Sequence, residues 1–289
     1  MPRRGARERT GRFGGPGAKA AGVAVFAALV VTAVTPAAHG AARVAVRFAA
    51  AMRSIPKKAS PSAMAVPAGM PDGAPFGGAP MVGALFTTTG DGNLGSHFCT
   101  ASVVRSPRQD MAVTAAHCMQ NVSGTVDFVP GYHDGSAPYG IWPVTRVVVD
   151  QAWSSSASID DDVAFLIINP ARRGVTLQAV TGAEKLGFGE LGRLPVQVIG
   201  YPDSQDQPLI CHGRTSVPLP HQLEFDCGSY TAGTSGGPFL INIGAGRQAG
   251  TVIGVIGGYQ QGGDLPQISY AAEFGPNVRR LYETAIRES

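Results

Sequence analysis

The sequence predicts an all-β protein in which twelve short strands form two sets of six and one amphipathic helix ends the chain. Three observations lead to this class. Gly (39) and Pro (22) make up about a fifth of the 289 residues, which suits many turns better than long helices. Apolar, β-branched runs bounded by turn residues recur twelve times after residue 80. A stretch of low hydrophobicity over 170–193 divides these runs six and six.

The twelve runs are short enough to be strands of barrels or sandwiches, and they do not alternate with helical patterns. The first set is Met81–Thr88, His97–Val104, Met111–Thr114, Thr125–Tyr132, Ile141–Val149 and Val163–Asn169. The second set is Leu194–Tyr201, Leu209–Val217, Leu223–Tyr230, Pro238–Ile243, Thr251–Tyr259 and Ile268–Phe274.

The C-terminus has a different period. Pro276 suits a first helical turn, and apolar residues then recur at spacings of three and four, at Val278, Leu281, Tyr282, Ala285 and Ile286. We expect an amphipathic helix that packs on the body and has a structural role.

Composition excludes several classes of protein. With 44% hydrophobic and 15% charged residues, the chain can bury a core and is not disordered as a whole. Residues 1–78 contain 11 Lys and Arg but only two acids, Glu8 and Asp72, whereas residues 79–289 contain 12 Lys and Arg against 18 Asp and Glu. A nucleic-acid binder would carry its positive charge on the folded part, so this class is not predicted.

The first forty residues have the order of a secretory signal peptide. A basic stretch from Arg3 to Lys19 precedes an uncharged run over 20–38, and small residues suited to cleavage follow. A retained membrane anchor is the alternative, since 19 residues can just span a bilayer, but alanine, glycine and Pro36 weaken it. We therefore expect a secreted, extracellular protein without stable membrane insertion after cleavage.

Residues 41–79 are rich in alanine, proline and methionine and show no alternation, which is typical of a pro-segment or disordered linker. Whether activity requires their removal, as in a zymogen, stays open; we expect the mature chain to begin near Met81. The folded body then divides into residues 80–182 and residues 183–289, the second including the helix.

The four cysteines, Cys99, Cys118, Cys211 and Cys227, all follow this segment. An even count behind an export signal favours disulfides, for which three connectivities are possible. Pairing of nearest neighbours would place one bridge in each set of strands. The sequence contains no CxxC pair, metal cage or nucleotide loop, so we expect no cofactor and no metal, although a surface Ca²⁺ stays open.

Three short motifs contain the reactive side chains. Gly233–Pro238 (GTSGGP) places Ser235 among glycines whose outward amides can hold a developing oxyanion. Thr114–Cys118 (TAAHC) ends an apolar strand with His117, whose intrinsic pKa suits proton transfer near neutral pH. Asp162 immediately precedes a strongly apolar strand, where a buried carboxylate can orient a histidine.

Together, the motifs TAAHC, Asp-Val-Ala and GTSGGP resemble those of the chymotrypsin-like serine peptidases, in the same order of His, Asp and Ser, over about residues 81–289. The resemblance implies two six-stranded antiparallel β-barrels, over 80–182 and 183–289, with the active site between them. It implies a secreted endopeptidase acting on protein or peptide substrates through an acyl-enzyme. A monomer is expected.

Carried over residue by residue, the resemblance implies Ser235 as nucleophile, His117 as general base and acid, and Asp162 as the residue that orients His117. The oxyanion donors are the amides of Gly233 and Ser235, and the pair Cys99–Cys118 matches the family's disulfide beside the histidine. The implied substrate pocket is formed by Ser229, Ile256, Gly257 and Gly258.

The chain departs from the animal digestive enzymes and is more similar to bacterial secreted members near the glutamyl endopeptidases. Thr234 replaces the Asp that pairs with a freed N-terminal amine in the animal enzymes. Ser229 stands where trypsin-like members have Asp at the pocket base, so a small or apolar P1 residue is expected. Gly257 stands where a serine often supports the catalytic Asp, and the wall residues 254–259 include no histidine, although His212 or His221 could come close.

Two other hydrolase folds are not predicted, one because of residue order and one because of the residues that follow Ser235. The segment Gly233–Gly237 satisfies GxSxG, but all six histidines precede Ser235, whereas an α/β-hydrolase needs histidine after serine. A subtilisin-like helix starting at Ser235 is opposed by Gly236-Gly237-Pro238. A catalytically silent homologue that binds an extracellular partner remains the alternative from another class.

Overall fold

The computed structural model describes residues 67–89, 93–120, 122–169, 174–243 and 249–289. The predicted signal peptide, its alternative as a membrane anchor and residues 41–66 lie outside these ranges. No helix within the described ranges combines the length and the apolar character needed to cross a bilayer.

Fourteen strands and three α-helices occur in the described residues. The strands are β1 (Ala74–Pro75), β2 (Val82–Thr88), β3 (Leu94–Val104), β4 (Met111–Thr114), β5 (Val126–Pro130), β6 (Trp142–Val149), β7 (Ala164–Ile168), β8 (Lys185–Leu186), β9 (Pro195–Gly200), β10 (Leu209–Leu219), β11 (Gln222–Asp226), β12 (Pro238–Ile241), β13 (Thr251–Val255) and β14 (Ile268–Ala272). The helices are α1 (Gln151–Ser156), α2 (Leu177–Thr181) and α3 (Pro276–Glu288).

All twelve predicted strands are present, as β2–β7 and β9–β14, and the predicted all-β class with a C-terminal helix is confirmed. The elements that sequence analysis missed are short. Strands β1 and β8 have two residues each, and α1 and α2 have six and five. Elements of this length have too few residues to show a period.

The first set of strands closes into an antiparallel barrel in the order β2-β3-β4-β7-β6-β5. Its interior is apolar and fully buried, including Leu85, Phe128 and Phe165. The six apolar runs of the first predicted set therefore form one closed barrel, as predicted.

The second set is not the closed six-stranded barrel that the sequence predicts. It forms an eight-stranded sheet in the order β14-β11-β10-β9-β12-β13-β8, with β1 added on β10. Closure would need β13 to pair along β14. Strand β8 pairs in parallel with Thr251 and Val252, at the start of β13. Between β13 and β14 there is one isolated bridge, Ile256 to Ala271, just beyond the end of β13.

An edge strand precedes residue 80, where the sequence predicts that the folded body starts. Strand β1 pairs with Leu209 and Ile210 of β10, and the Phe76 amide donates to the Pro208 carbonyl at 3.1 Å. A two-residue strand is too short to show alternation in the sequence. It forms because it pairs with a strand far away in the chain. A chain that began at Met81 would lose this edge strand.

Helix α3 follows the second sheet in sequence but packs against β6 and β7 of the first barrel. Its buried face contains Val278, Leu281 and Ala285, as the periodicity predicts. The Tyr282 hydroxyl donates to the Arg105 carbonyl at 2.7 Å. The helix therefore ties the two halves of the body together.

The cysteines pair as nearest neighbours. Cys99 of β3 is bonded to Cys118, and Cys211 of β10 is bonded to Cys227 just after β11. Each bridge lies in one half of the body, so the predicted pairing is confirmed. The first bridge joins a barrel strand to the turn that contains His117.

Glu184 gives a testable pH dependence of stability. Its side chain is 3% exposed and accepts a hydrogen bond from the Gly250 amide. Burial raises the pKa of Glu184 from 4.5 to about 7, although the Gly250 amide and nearby Arg105 act in the opposite direction. A carboxyl with a raised folded-state pKa stabilises the fold fully below its unfolded pKa, and this contribution is lost as pH rises through the folded value.

We expect the free energy of unfolding to fall by about 3 kcal/mol between pH 4.5 and pH 7 because of this group. Glu184→Gln should remove that component, since an amide oxygen still accepts from Gly250 but does not ionise. Urea unfolding at pH 5 and pH 8 measures the difference, with exposed Glu190→Gln as the matched control. An unchanged pH profile in Glu184→Gln would contradict the expectation.

Candidate active site

His117 begins a short 3-10 turn, His117–Met119, that follows β4. The Thr114 hydroxyl, at the end of β4, donates to the Thr100 carbonyl at 2.7 Å, and the disulfide at Cys118 anchors the other side of the turn. The imidazole is 11% exposed. The turn thus holds His117 rigidly and leaves one edge of the ring accessible.

Asp162 lies between the turn Ile159–Asp161 and β7, with a fully buried side chain. Its Oδ1 accepts from the His117 amide at 2.8 Å, and its Oδ2 accepts from His117 Nδ1 at 2.7 Å and from the Gly258 amide at 2.8 Å. Three donors satisfy the buried carboxylate. Because a carboxylate only accepts, Nδ1 carries a proton, and Nε2 of the neutral ring keeps its lone pair.

The neighbouring acids Asp160 and Asp161 have a structural role that sequence analysis missed. Asp160 Oδ1 accepts from Gln222 Nε2 at 2.7 Å, and Asp161 Oδ1 accepts from Asn277 Nδ2 at 2.5 Å. Gln222 is on β11 and Asn277 is on α3, so these bonds attach the Asp162 turn to the second sheet and to the C-terminal helix. Neither partner has a local sequence signal.

Ser235 occupies the glycine-rich loop just before β12, and its side chain is half-buried. The Ser235 carbonyl accepts from the Thr100 amide of β3 at 2.7 Å, and the Gly236 amide donates to Ile256 at 2.7 Å. At Gly236, where φ is +81°, a Cβ would lie 2.1 Å from both the Thr100 carbonyl oxygen and Thr114 Oγ1. Glycine therefore lets this loop press against the barrel strands that lead to Cys99 and His117.

The amides of the loop differ in their partners. Those of Thr234, Gly236 and Gly237 donate to backbone carbonyls, whereas those of Gly233 and Ser235 donate to no group in the described chain. In a trans peptide the N–H points opposite to the C=O. The carbonyl of Ala232 accepts from the Asp203 amide at 2.8 Å and that of Thr234 accepts from the Gly237 amide at 2.9 Å, which fixes the directions of both free donors.

The predicted pocket residues are not equivalent. The Gly258 amide donates to Asp162, and a Cβ on Gly257 would lie 2.9 Å from Asp162 Oδ2. Because position 257 has no side chain, the Asp162 carboxylate can approach the backbone. The Gly258 amide then donates to Asp162, in place of the serine that is absent at position 257. Ile256 is buried, whereas Ser229 is exposed at a φ of +71°.

The two histidines that could have approached the pocket have other partners. His212 Nε2 lies 2.9 Å from Gln197 Oε1 on the adjacent strand. His221 Nδ1 lies 2.8 Å from Glu273 Oε2, and this hydrogen bond raises the pKa of His221. Neither imidazole contacts the predicted pocket residues, so they give no support for glutamate recognition.

One group of metal-type ligands occurs in the described chain, formed by Cys99, His117 and Cys118 with ligand atoms within 4.8 Å of one another. Both sulfur atoms belong to the disulfide, and His117 Nδ1 faces Asp162. The proximity follows from the bridge beside the histidine, and these residues do not form a metal site.

Comparison with known proteins gives a consistent result. The family model described as Trypsin matches residues 72–274. The chain is similar in structure to the protease Anisep from Arthrobacter nicotinovorans, with a TM-score of 0.63, 24% identity, and coverage of 74% of this chain and 99% of that one. A search of curated proteins finds no match.

Two further solved structures are similar. The thermostable serine protease AL20 from an extremophilic microorganism has a TM-score of 0.61 and 25% identity, covering 73% of this chain and 99% of that one. A Glu endopeptidase solved in complex with MPD has a TM-score of 0.58 and 16% identity, covering 76% of this chain and 98% of that one. At 16% identity the likeness concerns the fold alone.

Proposed function

The chain belongs to the trypsin family and is a serine-type endopeptidase, and on that premise we propose that it hydrolyses peptide bonds through an acyl-enzyme on Ser235. The observation that carries the proposal is the buried Asp162 carboxylate, which accepts from His117 Nδ1 at 2.7 Å. This contact leaves Nε2 of His117 as the basic nitrogen.

In the first half-reaction, Ser235 Oγ attacks the substrate carbonyl carbon while its proton passes to Nε2 of His117. The carbonyl oxygen becomes an anion between the free amides of Gly233 and Ser235. Collapse of this intermediate breaks the C–N bond, and the leaving amine takes the proton from His117. Asp162 stabilises the imidazolium throughout and does not itself become protonated.

In the second half-reaction, water replaces the amine. His117 takes a proton from the water, the hydroxide attacks the acyl carbon, and the same two amides hold the oxyanion. The C–O bond to Ser235 then breaks, the serine recovers its proton from His117, and the acid product leaves. The Ser235 hydroxyl makes no hydrogen bond within the described chain, and such contacts often tighten only in the substrate complex.

A fluorophosphonate probe tests the proposal directly. The full chain, expressed with its leader and purified from culture medium, should be labelled on the peptide that contains Ser235, because the probe needs an activated serine and an oxyanion site. Ser235→Ala and heat-unfolded protein should not be labelled. Folded protein that resists the probe would contradict the proposal and favour a silent, partner-binding homologue.

We further propose that the protein acts outside the cell, as a monomer, on protein or peptide substrates. The two disulfides support an oxidising compartment. The intact mass of the secreted form would give the N-terminus of the mature chain.

A further inference from the structure

The segment 71–76 runs beside the loop that leads to Ser235, although it falls within the predicted linker, residues 41–79. The Gly228 amide donates to the Pro71 carbonyl at 2.9 Å, and the Gly73 amide donates to the Gly228 carbonyl at 3.1 Å. These two bonds flank Asp72 and hold its backbone against Gly228. Strand β1 continues the attachment along β10.

The Asp72 side chain reaches Ser229, the proposed base of the substrate pocket. Asp72 Oδ1 accepts from Ser229 Oγ at 2.6 Å and from its neighbour's amide, Gly73 N–H, at 3.0 Å. The described residues provide no hydrogen bond to Oδ2 and no ion pair to this carboxylate. Within the described residues, a negative charge is thus fixed beside Ser229 without a cation to neutralise it.

We propose that Asp72 is a specificity-determining residue that gives the pocket a preference for a cationic P1 side chain, arginine or lysine. This inference rests on the proposed function, in which Ser229 contributes to the P1 pocket. Ser229 lies six positions before the nucleophile Ser235, and its hydroxyl donates to Asp72 Oδ1. A guanidinium or ammonium group entering the pocket gains an ion pair with Oδ2, whereas a P1 glutamate meets repulsion.

The proposal replaces the expectation of a small or apolar P1 residue. That expectation considers only position 229, where the chain has an uncharged serine, whereas the charge comes from a residue 157 positions earlier. Both side chains are exposed, so solvent screens the interaction and the preference is moderate. A further consequence is that productive maturation leaves Asp72 attached to the enzyme.

The test compares kcat/KM for peptides that differ only in P1: Arg, Lys, Leu, Ala and Glu. We expect the wild type to favour Arg and Lys over Leu, and Asp72→Asn to reduce the Arg-to-Leu ratio by about tenfold. Glu283→Gln, which removes one exposed charge from α3, should leave the ratio unchanged.

A second variant protects the test against a purely structural effect of Asp72. In the Asp72→Asn background, Ser229→Asp moves the carboxylate by about one hydrogen-bond length, and aspartate tolerates the positive φ of this position. This double variant should regain the preference for arginine. Equal losses for all P1 residues in Asp72→Asn, with no rescue by Ser229→Asp, would overturn the proposal and make Asp72 only a clamp for the segment.

Failure of this inference differs from failure of the proposed function. Wild-type protein that labels at Ser235 with the fluorophosphonate but shows no preference for arginine or lysine would refute the role of Asp72 and leave the peptidase intact. Protein that does not label would refute the peptidase mechanism, and the inference with it.

Discussion

Replacement of Ser235 by alanine is expected to lower kcat for peptide hydrolysis by about a millionfold while the protein remains folded. The nucleophile is lost, so neither half-reaction can proceed through the acyl-enzyme. Stability should change little, because the Ser235 hydroxyl makes no hydrogen bond in the described chain and the side chain is only half-buried. Peptide turnover and thermal unfolding measure the two effects.

The matched control for this experiment is Ser155→Ala, an exposed serine on α1 that should leave turnover unchanged. If Ser235→Ala retained activity within tenfold of the wild type, another group would have to be the nucleophile. A variant that lost both activity and folding would contradict the expected stability.

Replacement of Asp162 by asparagine is expected to lower kcat by about ten-thousandfold near neutral pH with little change in KM. An amide oxygen accepts as a carboxylate oxygen does, but the amide nitrogen only donates. At least one of the three donors that face Asp162 would then meet another donor, and the tautomer of His117 would no longer be fixed. The buried mismatch should also reduce the free energy of unfolding by about 1–3 kcal/mol.

Asp161→Asn is the matched control, one residue earlier in the same turn. Its carboxylate binds Ser158 and Asn277 and does not contact His117, so we expect a small loss of stability and nearly normal kcat. The rate of fluorophosphonate labelling separates positioning from folding, since it should fall in Asp162→Asn at temperatures where the variant remains folded. Near-normal labelling in that variant would exclude the proposed role of Asp162.

Local patterns were sufficient for most of the fold. The apolar, β-branched runs of β2–β7 and β9–β14 and the 3.6-residue period of α3 are properties of short segments, so the sequence predicts them without knowledge of distant contacts. Within the described chain the buried carboxylate of Asp162 contacts His117, and both residues belong to the predicted motifs. The Ser235 loop packs on the barrel strand beside Cys99.

By itself, then, the sequence determined the twelve longer strands and the C-terminal helix, because their patterns are local. Its short motifs indicated candidate reactive side chains, and it left three disulfide connectivities open. Only the tertiary structure decided how the edges of the second sheet are used, that a glycine amide supports Asp162, and that Asp72 lies against Ser229. These features arise from contacts between residues far apart in the chain: β8 pairs with β13, and residue 72 pairs beside residue 228. Such a contact stabilises the fold only when two distant segments meet. Neither segment contains a sequence pattern that specifies its partner.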